Sequence, residues 1–499
     1  MLSRLVAIAV LAAAPAAADV TGVAVYETFP TTSSGLNYAA LQERPVRGAR
    51  IQLRSAGSDT VLAEATTGAD GSFRLGPGSG GELEVVLIAE SVVPPVVVQD
   101  NTDGGAVWGV SYGPLSDGAG VTLVVPAGWL GTAYDPATRL SGPFAILDAA
   151  WASAHAFFAV RSVVFPPLAI NWSPDNRPES GDRAQGQIGT SFWDGRELFI
   201  LGKQDVDTDE FDSHVVVHEW GHYFESAVSR SDSIGGSHSV GDLLDARVAF
   251  GEGWGNALSA MVLFPDSVYA DSLGPRQEDG FGYDLEDNSR DPAPGWFSES
   301  TVQTVLYDLF DTAEDRADRV ALGLGPIYDV MTGPQRSTRA LTTLFSFSAG
   351  LAAVAPQASG GLDALLAQHA VAPVRDSFGS GESNDGGVVG TLPVYNVAEI
   401  DGAPITLTLL GTQPGNWVGQ NRYVGFTGNG RSVTVSATTD ADVALEAFDA
   451  GRSLGFSDGF FAGTESVSFA TVGGQVYVVV VSGFAAAGSY TCTLQVTAQ

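Results

Sequence analysis

A chain of 499 residues is too long for one ordinary domain, and its 44% apolar residues suffice for sizeable cores. The 24 basic and 57 acidic residues give a net charge of −33, which disfavours binding to nucleic acid and to anionic lipid surfaces. The single cysteine, Cys492, cannot form an intrachain disulfide, so stability must come from core packing or bound ions. We interpret Cys492 as a strand residue and not as a nucleophile.

The chain begins with the pattern of a secretory signal sequence. Residues 1–18 contain Arg4, an apolar run at 5–14 and small residues before Asp19. That run is shorter than the roughly 20 residues that a membrane-spanning helix needs, and no later run is long enough either. We therefore predict a secreted or periplasmic protein without a membrane span.

Residues 19–100 are predicted to form β-structure. Apolar and polar residues alternate at 20–26, and Asp70-Gly71 is a turn suited to positive φ. The "ADGSF" text of this turn resembles the carboxypeptidase-regulatory-like (transthyretin-like) domains. The resemblance implies a β-sandwich domain over residues 19–100.

Residues 130–375 have mainly helical periodicity, with a few apolar runs that are typical of strands. The pattern predicts a domain of helices with a small mixed sheet. Predicted helices cover residues 142–160, 212–228, 242–263, 299–312, 338–354 and 361–370, and predicted strands cover 168–172 and 192–201.

The last part of the chain returns to β-structure. Residues 376–394, rich in serine and glycine, are predicted to be a linker, and residues 395–499 contain alternating strands. The runs at 421–426, 442–449 and 488–491 resemble the pre-peptidase C-terminal (PPC-type) domains that accompany secreted peptidases. The resemblance implies a second β-sandwich.

One predicted helix carries the text His218-Glu219-Trp220-Gly221-His222. Two histidines four residues apart lie on one face of a helix, so both imidazoles can bind the same ion. A zinc ion lowers the pKa of a bound water, and the adjacent Glu219 can take the proton as that water attacks a carbonyl. The motif predicts Zn²⁺ on His218 and His222, with Glu219 as the catalytic base.

Catalytic zinc usually has a third protein ligand. The extended metzincin pattern would need glycine at 225 and histidine at 228, but the chain has Glu225 and Val228, which excludes that class. Glu252 follows His222 by 30 residues, within the text "GEGW" on the next predicted helix. This arrangement resembles the gluzincin peptidases of the fungalysin and thermolysin types, and the resemblance implies that Glu252 is the third zinc ligand.

In the same family a residue four positions later steadies a ligand histidine through a hydrogen bond. Here that residue is Asn256, where the family usually has aspartate. An amide oxygen can still accept a hydrogen bond from an imidazole N–H, but it lacks the charge of a carboxylate. This departure puts the basicity of the ligand histidine in question more than it puts zinc binding in question.

The donor that should stabilise the transition state is not evident. Members of this family supply a histidine before a later helix, and the matching run, residues 295–302, contains none. Tyr283 and Tyr307 are possible substitutes, and His238 is either a substrate or oxyanion ligand or an ordinary loop residue. The remaining histidines, His214 near the pocket rim and two others in helical runs (His155 and His369), are interpreted as structural.

Two further features surround the motif. As in zincins generally, a hairpin at residues 192–200 is the candidate for holding the substrate backbone. The acidic residues that follow this hairpin form either a calcium site or a solvated loop; they are Asp205, Asp207, Asp209, Glu210 and Asp212.

The sequence thus predicts a multidomain α+β protein in which a zincin catalytic domain is flanked by two β-sandwich domains. The predicted function is that of a secreted zinc-dependent peptidase acting on protein or peptide substrates. Two alternatives stay open: a non-catalytic surface or adhesive protein with a structural or vestigial zinc site, and a zinc hydrolase of another amide bond. The sequence gives no indication of the oligomeric state.

Overall fold

The computed structural model describes residues 18–76, 81–116, 118–287, 291–312, 319–373, 376–411, 415–459, 461–484 and 488–499. Apart from Ala18, the predicted signal sequence at 1–18 lies outside these residues. No helix in the described ranges is both long and apolar enough to cross a membrane. The described chain is a multidomain mixture of helices and β-sheets.

Seven α-helices occur within the described residues. Six of them match predicted helices, whereas the sequence does not predict α5, because it is short and contains glycine and proline. The helices are α1 (Gly142–Phe158), α2 (Ser213–Val228), α3 (Ala246–Leu263), α4 (Glu299–Phe310), α5 (Leu324–Val330), α6 (Leu344–Val354) and α7 (Ser359–Gln368).

Two of these helices begin later than the periodicity predicts, and in each a capping residue explains the difference. Asp245 caps α3, because its side chain accepts a hydrogen bond from the backbone N–H of Arg247 at 3.0 Å. Thr343 and Ser346 form a capping box at the start of α6. A cap satisfies the free N–H groups of the first turn, so the helix starts directly after it.

The strands fall into three groups along the chain. The first group is β1 (Val20–Thr28), β2 (Thr31–Thr32), β3 (Gly35–Leu36), β4 (Gln42–Pro45), β5 (Ala49–Ser55), β6 (Val61–Thr66), β7 (Ser72–Leu75), β8 (Leu83–Ser91), β9 (Val96–Asp100), β10 (Ala106–Val107), β11 (Gly109–Leu115) and β12 (Gly120–Val125). The second is β13 (Leu168–Trp172), β14 (Phe192–Trp193), β15 (Leu198–Ile200), β16 (Gly202–Lys203), β17 (Asp207–Thr208), β18 (Val268–Leu273) and β19 (Asp279–Asp284). The third is β20 (Tyr395–Val397), β21 (Ile405–Leu410), β22 (Asn421–Thr427), β23 (Ser432–Thr439), β24 (Val443–Asp449), β25 (Arg452–Asp458), β26 (Gly463–Ala470), β27 (Val476–Gly483) and β28 (Ser489–Ala498).

The largest sheet joins the amino-terminal strands to the central part of the chain. Its order is β14-β15-β13-β9-β8-β5-β6, with β10 and β11 paired to β9 and β8. Strands β9 and β13 are parallel, with Val98 opposite Ile170, and both side chains are fully buried. The strands predicted at 168–172 and 192–201 therefore form the edge of a nine-stranded sheet, because two apolar strands distant in sequence pair with each other. A separate four-stranded sheet, β16-β17-β18-β19, lies within the central segment.

The amino-terminal region packs on the first helix. A second sheet, β12-β1-β4 with β7 paired to β1, lies in the same hydrophobic core as α1. The hydroxyl of Tyr26 donates a hydrogen bond to the carboxylate of Asp148 on α1 at 2.9 Å, and Arg47 pairs with the same carboxylate. Through these contacts the amino-terminal strands and α1 pack into one hydrophobic core.

The carboxyl-terminal strands form a β-sandwich with its own core. Its sheets have the orders β20-β22-β27-β24-β25 and β21-β28-β23-β26. Buried aliphatic residues such as Leu407 and Val479 fill the space between them. Cys492 is buried on β28, as predicted for a strand residue.

Close approach of three helices positions the candidate site. Helix α3 packs between α2 and α4, and glycines lie at the contacts. A Cβ atom at Gly255 would lie 2.8 Å from Nδ1 of His218, and one at Gly253 would lie 2.5 Å from Cβ of Val302 on α4. Only residues without a side chain fit these two positions, which accounts for the repeated glycines in this helix.

Candidate metal centre

Packing of α2 against the core fixes the direction of its motif. Trp220 and Phe224 are fully buried and lie next to Phe157 of α1, with ring centroids 5.9 and 4.5 Å away. Because the apolar face of the helix is held there, His218 and His222 point from the other face into a cleft. The cleft has a volume of about 1350 Å³.

The three residues predicted as zinc ligands lie together. Nε2 of His218 is 3.1 Å from Nε2 of His222, and Oε2 of Glu252 is 3.2 and 3.3 Å from these two nitrogens. Ligand atoms about 2.1 Å from a tetrahedral zinc ion are about 3.4 Å apart. The spacing and the chemistry of this donor set therefore fit zinc.

Asn256 lies behind His218, as the resemblance implies. Its Oδ1 is 2.7 Å from Nδ1 of His218, and its Nδ2 donates to Oε1 of Gln303 at 2.8 Å. The bond to Gln303 turns the amide oxygen toward the imidazole, which favours a proton on Nδ1 and leaves Nε2 free to bind a metal.

His222 has a carboxylate behind it that is not among the predicted site residues. Oε2 of Glu225 lies 3.7 Å from Nδ1 of His222, and Glu225 is fully buried. Burial raises the pKa of Glu225, while the nearby imidazole of His222 opposes this rise. The spacing of three residues on one helix face is the signal that could have found it. The charge missing at Asn256 is thus present behind the second histidine.

Glu219 lies at the wall of the cleft beside the predicted substrate-holding hairpin. Its carboxylate accepts a hydrogen bond from the backbone N–H of Trp193 at 3.0 Å. Trp193 belongs to β14, which pairs antiparallel with β15. Burial raises the pKa of Glu219, although the imidazoles of His218 and His222 lower it in part.

His238 joins the site from the loop between α2 and α3. Its Nε2 lies 3.3 Å from Oε2 of Glu252, and its Nδ1 lies 2.7 Å from Oε2 of Glu299 at the start of α4. Burial lowers the pKa of His238, but hydrogen bonds to the two carboxylates outweigh it and raise the pKa to about 10. The ring is therefore a hydrogen-bond donor that lines the cleft next to the proposed zinc ligands.

The two tyrosines considered as donors differ in position. Tyr283 lines the cleft and stacks on Tyr269, with ring centroids 5.1 Å apart. Tyr307 is buried beside Phe310 and is not among the residues that line the cleft. Among the two, Tyr283 alone faces the space beside the ligands.

The other histidines take no part in the ligand group. Nδ1 of His214 bonds with the hydroxyl of Ser259 at 2.7 Å. His155 stacks on Trp151 with ring centroids 3.5 Å apart, and His369 is buried at the end of α7.

The proposed ligand residues form a cluster of ion pairs with one another. Burial raises the pKa of Glu252, but the surrounding imidazoles, first that of His222, bring it well below its usual range. Burial lowers the pKa of His222, and Glu252 and Glu225 together raise it well above its ordinary value. Metal binding must displace the proton from the imidazole, so metal affinity should rise with pH.

The acidic residues that follow the hairpin lie in different environments. Asp205 is exposed at a turn, Glu210 pairs with Arg139, and Asp212 accepts hydrogen bonds from Thr31 and Ser272. The other two meet Asp271, which lies on β18 and is distant from them in sequence. Asp207, Asp209 and Asp271 each place a carboxylate oxygen within 4.8 Å of the others, and all three line the cleft.

No family of known proteins matches this chain. No curated protein matches it either. Several solved structures resemble about a fifth of it at low TM-scores, and three of them serve as examples. They are the pre-peptidase C-terminal domain of a collagenase from Bacillus anthracis (11% identity, 20% of this chain and 93% of that one, TM-score 0.16), the periplasmic lysozyme inhibitor PliG of Aeromonas hydrophila (14%, 21% and 99%, 0.16), and the surface-associated copper-binding protein CorA of Methylomicrobium album BG8 (11%, 21% and 98%, 0.17).

Proposed function

We propose that this chain is a secreted or periplasmic zinc-dependent peptidase, with zinc held by His218, His222 and Glu252. The observation that carries the proposal is the convergence of their three ligand atoms, 3.1–3.3 Å apart, next to the carboxylate of Glu219. Nitrogen and carboxylate ligands in this number are typical of catalytic zinc, which keeps a further position for water or substrate. When bound, the ion would polarise a carbonyl group and increase the acidity of a water molecule.

Glu219 is the proposed general base. Its carboxylate is buried at the cleft wall and held by the backbone N–H of Trp193, so its orientation is fixed before substrate arrives. A base in this position takes a proton from the attacking water and returns it to the leaving amine. The raised pKa of Glu219, caused by burial, brings the carboxylate closer to the range in which it can do both.

The edge of the large sheet is the proposed substrate-binding strand. β14 pairs with β15 on one side, and both of its residues, Phe192 and Trp193, line the cleft on the other. An extended peptide can add to such an edge through backbone hydrogen bonds. This supports an extended protein or peptide segment as the substrate.

His238 is the proposed donor to the transition state. Its ring faces the ligand group, and Glu299 on the far side holds the ring in place. A charged imidazole directed at a developing oxyanion stabilises it without reorganisation at the moment of reaction.

The test is cleavage of an unstructured peptide mixture by the purified zinc-loaded protein, with mass spectrometry of the new termini. We expect cleavage that a chelator abolishes and that added zinc restores. A panel with amides from cell-wall components tests the alternative hydrolase. Stoichiometric zinc without cleavage of any substrate would contradict the proposal and favour a non-catalytic surface protein.

Glu252→Ala tests the third ligand. The substitution removes the only carboxylate of the ligand group and should lower zinc affinity by at least about 100-fold, because two imidazoles alone hold zinc weakly. Zinc content after dialysis measures the effect, with Glu278→Gln, an exposed glutamate paired with Arg276, as control. Stoichiometric zinc in the alanine variant would exclude Glu252 as a ligand.

A further inference from the structure

A second group of carboxylates lies in the same cleft, apart from the proposed zinc ligands. Asp207 and Asp209 come from the segment just before α2, and Asp271 comes from β18 after α3. One carboxylate oxygen of each lies within 4.8 Å of those of the other two. The group thus brings together residues that precede α2 and a residue that follows α3 in the sequence.

Asp209 is buried and has one carboxylate oxygen without a hydrogen-bond partner among the described residues. Its side chain is only 3% exposed, and its Oδ1 has no hydrogen-bond partner within the described chain. Its other oxygen is held by the hydroxyl of Ser191, which in turn accepts a hydrogen bond from the backbone N–H of Leu201 at 2.9 Å. The carboxylate is therefore fixed in orientation while one of its oxygens is left without a donor, an arrangement that costs free energy unless a ligand supplies the partner.

The other two carboxylates repeat the pattern. Oδ1 of Asp207 and Oδ1 of Asp271 are buried without a hydrogen-bond partner among the described residues. No lysine or arginine of the described chain forms an ion pair with any of the three aspartates, whereas the neighbouring Glu210 has one in Arg139. Three acidic side chains therefore meet without a cationic side chain from the described residues.

We propose that Asp207, Asp209 and Asp271 form a binding site for a calcium-like divalent cation. Oxygens about 2.4 Å from one calcium ion lie at most about 4.8 Å apart, and the three carboxylate oxygens stay within this limit. Calcium takes six to eight oxygens, and water molecules of the cleft can complete the shell.

The ion would link two segments that otherwise meet through a short β-pairing and through hydrogen bonds from Ser272 to Asp212. β17 pairs with β18 through Asp207 opposite Leu273. Asp271 and Tyr269 lie on the same face of β18, and the Tyr269 ring is 6.3 Å from that of His218. Bound calcium would therefore stabilise the floor of the cleft next to the zinc ligands, without itself taking part in the reaction.

Two measurements on the zinc-loaded protein in calcium-free buffer test the site. The first is the thermal midpoint with and without added CaCl₂, and the second is Tb³⁺ luminescence sensitised by nearby tyrosines. We expect calcium to raise the midpoint by several degrees, and Tb³⁺ to bind with stoichiometry one and to be displaced by calcium.

Asp209→Asn and Asp271→Asn should each weaken calcium and Tb³⁺ binding by at least about tenfold, because each removes one charged ligand. Asp205→Asn is the matched control, since Asp205 is an exposed acid of the same segment and has positive φ, which asparagine tolerates. Asp271 is only partly buried, so its variant tests the site even if the Asp209 variant fails to fold.

Unchanged calcium binding in both ligand variants would overturn the proposal, as would a wild-type protein that binds no calcium at millimolar concentration. Displacement of Tb³⁺ by an arginine ester but not by calcium would also overturn it, and would assign the group to a cationic substrate side chain. Zinc content is measured in every variant, so that failure of this site is distinguished from failure of the proposed zinc centre.

Discussion

Nδ1 of His238 lies 2.7 Å from Oε2 of Glu299, although 61 residues separate them in sequence. The other ring nitrogen faces Glu252, one of the three proposed zinc ligands, at 3.3 Å. The pair resembles an arrangement in which a carboxylate orients an imidazole toward the reacting group. This pair provides a cationic donor to the site. Residues 295–302, where the resemblance would place a donor histidine, contain none and instead contribute Glu299, the carboxylate that bonds to His238.

His238→Ala should lower kcat by about 100-fold with little change in KM or zinc content, because the lost interaction belongs to the transition state. Glu299→Gln should lower kcat less, since the ring keeps a hydrogen-bond partner at position 299 and the carboxylate of Glu252 still raises its pKa. His155→Ala, which removes a ring stacked on Trp151 away from the ligand group, is the control. Loss of zinc from the His238 variant would show that this residue is a ligand and not a donor.

Asn256 should set zinc affinity through His218. Asn256→Ala removes the acceptor behind Nδ1 and should weaken zinc binding by about 10- to 100-fold, whereas Asn256→Asp should bind at least as tightly as the wild type. Competition with a chromophoric chelator at fixed pH measures the order. Equal affinity of the alanine variant and the wild type would exclude a role for the contact between Asn256 and His218.

Acid should weaken the contact between α3 and the carboxyl-terminal sandwich. Buried Asp245 pairs with Arg247 at 2.9 Å and accepts hydrogen bonds from Asn421 and Tyr423. Burial raises the pKa of Asp245, but Arg247 and these donors outweigh it, so the folded value lies below the ordinary 3.8. The stability it contributes is therefore full above about pH 4 and is lost as the pH falls through the folded pKa.

Asp245→Asn should reduce the free energy of unfolding at pH 7 by about 3 kcal/mol, because it leaves the Arg247 charge buried and uncompensated. The difference from the wild type should shrink as the pH falls below 4, when the wild-type carboxyl also becomes neutral. Denaturant unfolding at several pH values measures it, with Asp242→Asn in the same loop as control. A difference that does not depend on pH would contradict this assignment.

Local features of the chain could be predicted from sequence where one segment contains all the information. The helix of the zinc motif has the predicted end at Val228, because its periodicity and flanking residues are local. The resemblance to gluzincin peptidases implies that Glu252 meets the two histidines, and the structure brings these residues together as expected. Their role as ligands stays a prediction.

Features that depend on long-range pairing could not be predicted. The nine-stranded sheet requires β9 to meet β13, and neither strand alone indicates its partner. Asp271 joins the acidic group only because β17 pairs with β18, although α2 and α3 lie between these strands in the sequence. Likewise, Glu299 meets His238 only because α4 packs on α3. Periodicity assigns a residue to an element or a face, but it does not identify the distant element that the face contacts.

Peptide cleavage by Glu219→Gln, compared with the wild type at equal zinc content, tests the central claim most directly. The substitution keeps the shape of the side chain and an acceptor for the Trp193 N–H, but it removes the base. We predict full zinc occupancy and a fall in kcat of at least about 1000-fold, since general-base catalysis contributes up to about 10⁴-fold. Cleavage by the variant at the wild-type rate would contradict the proposed mechanism.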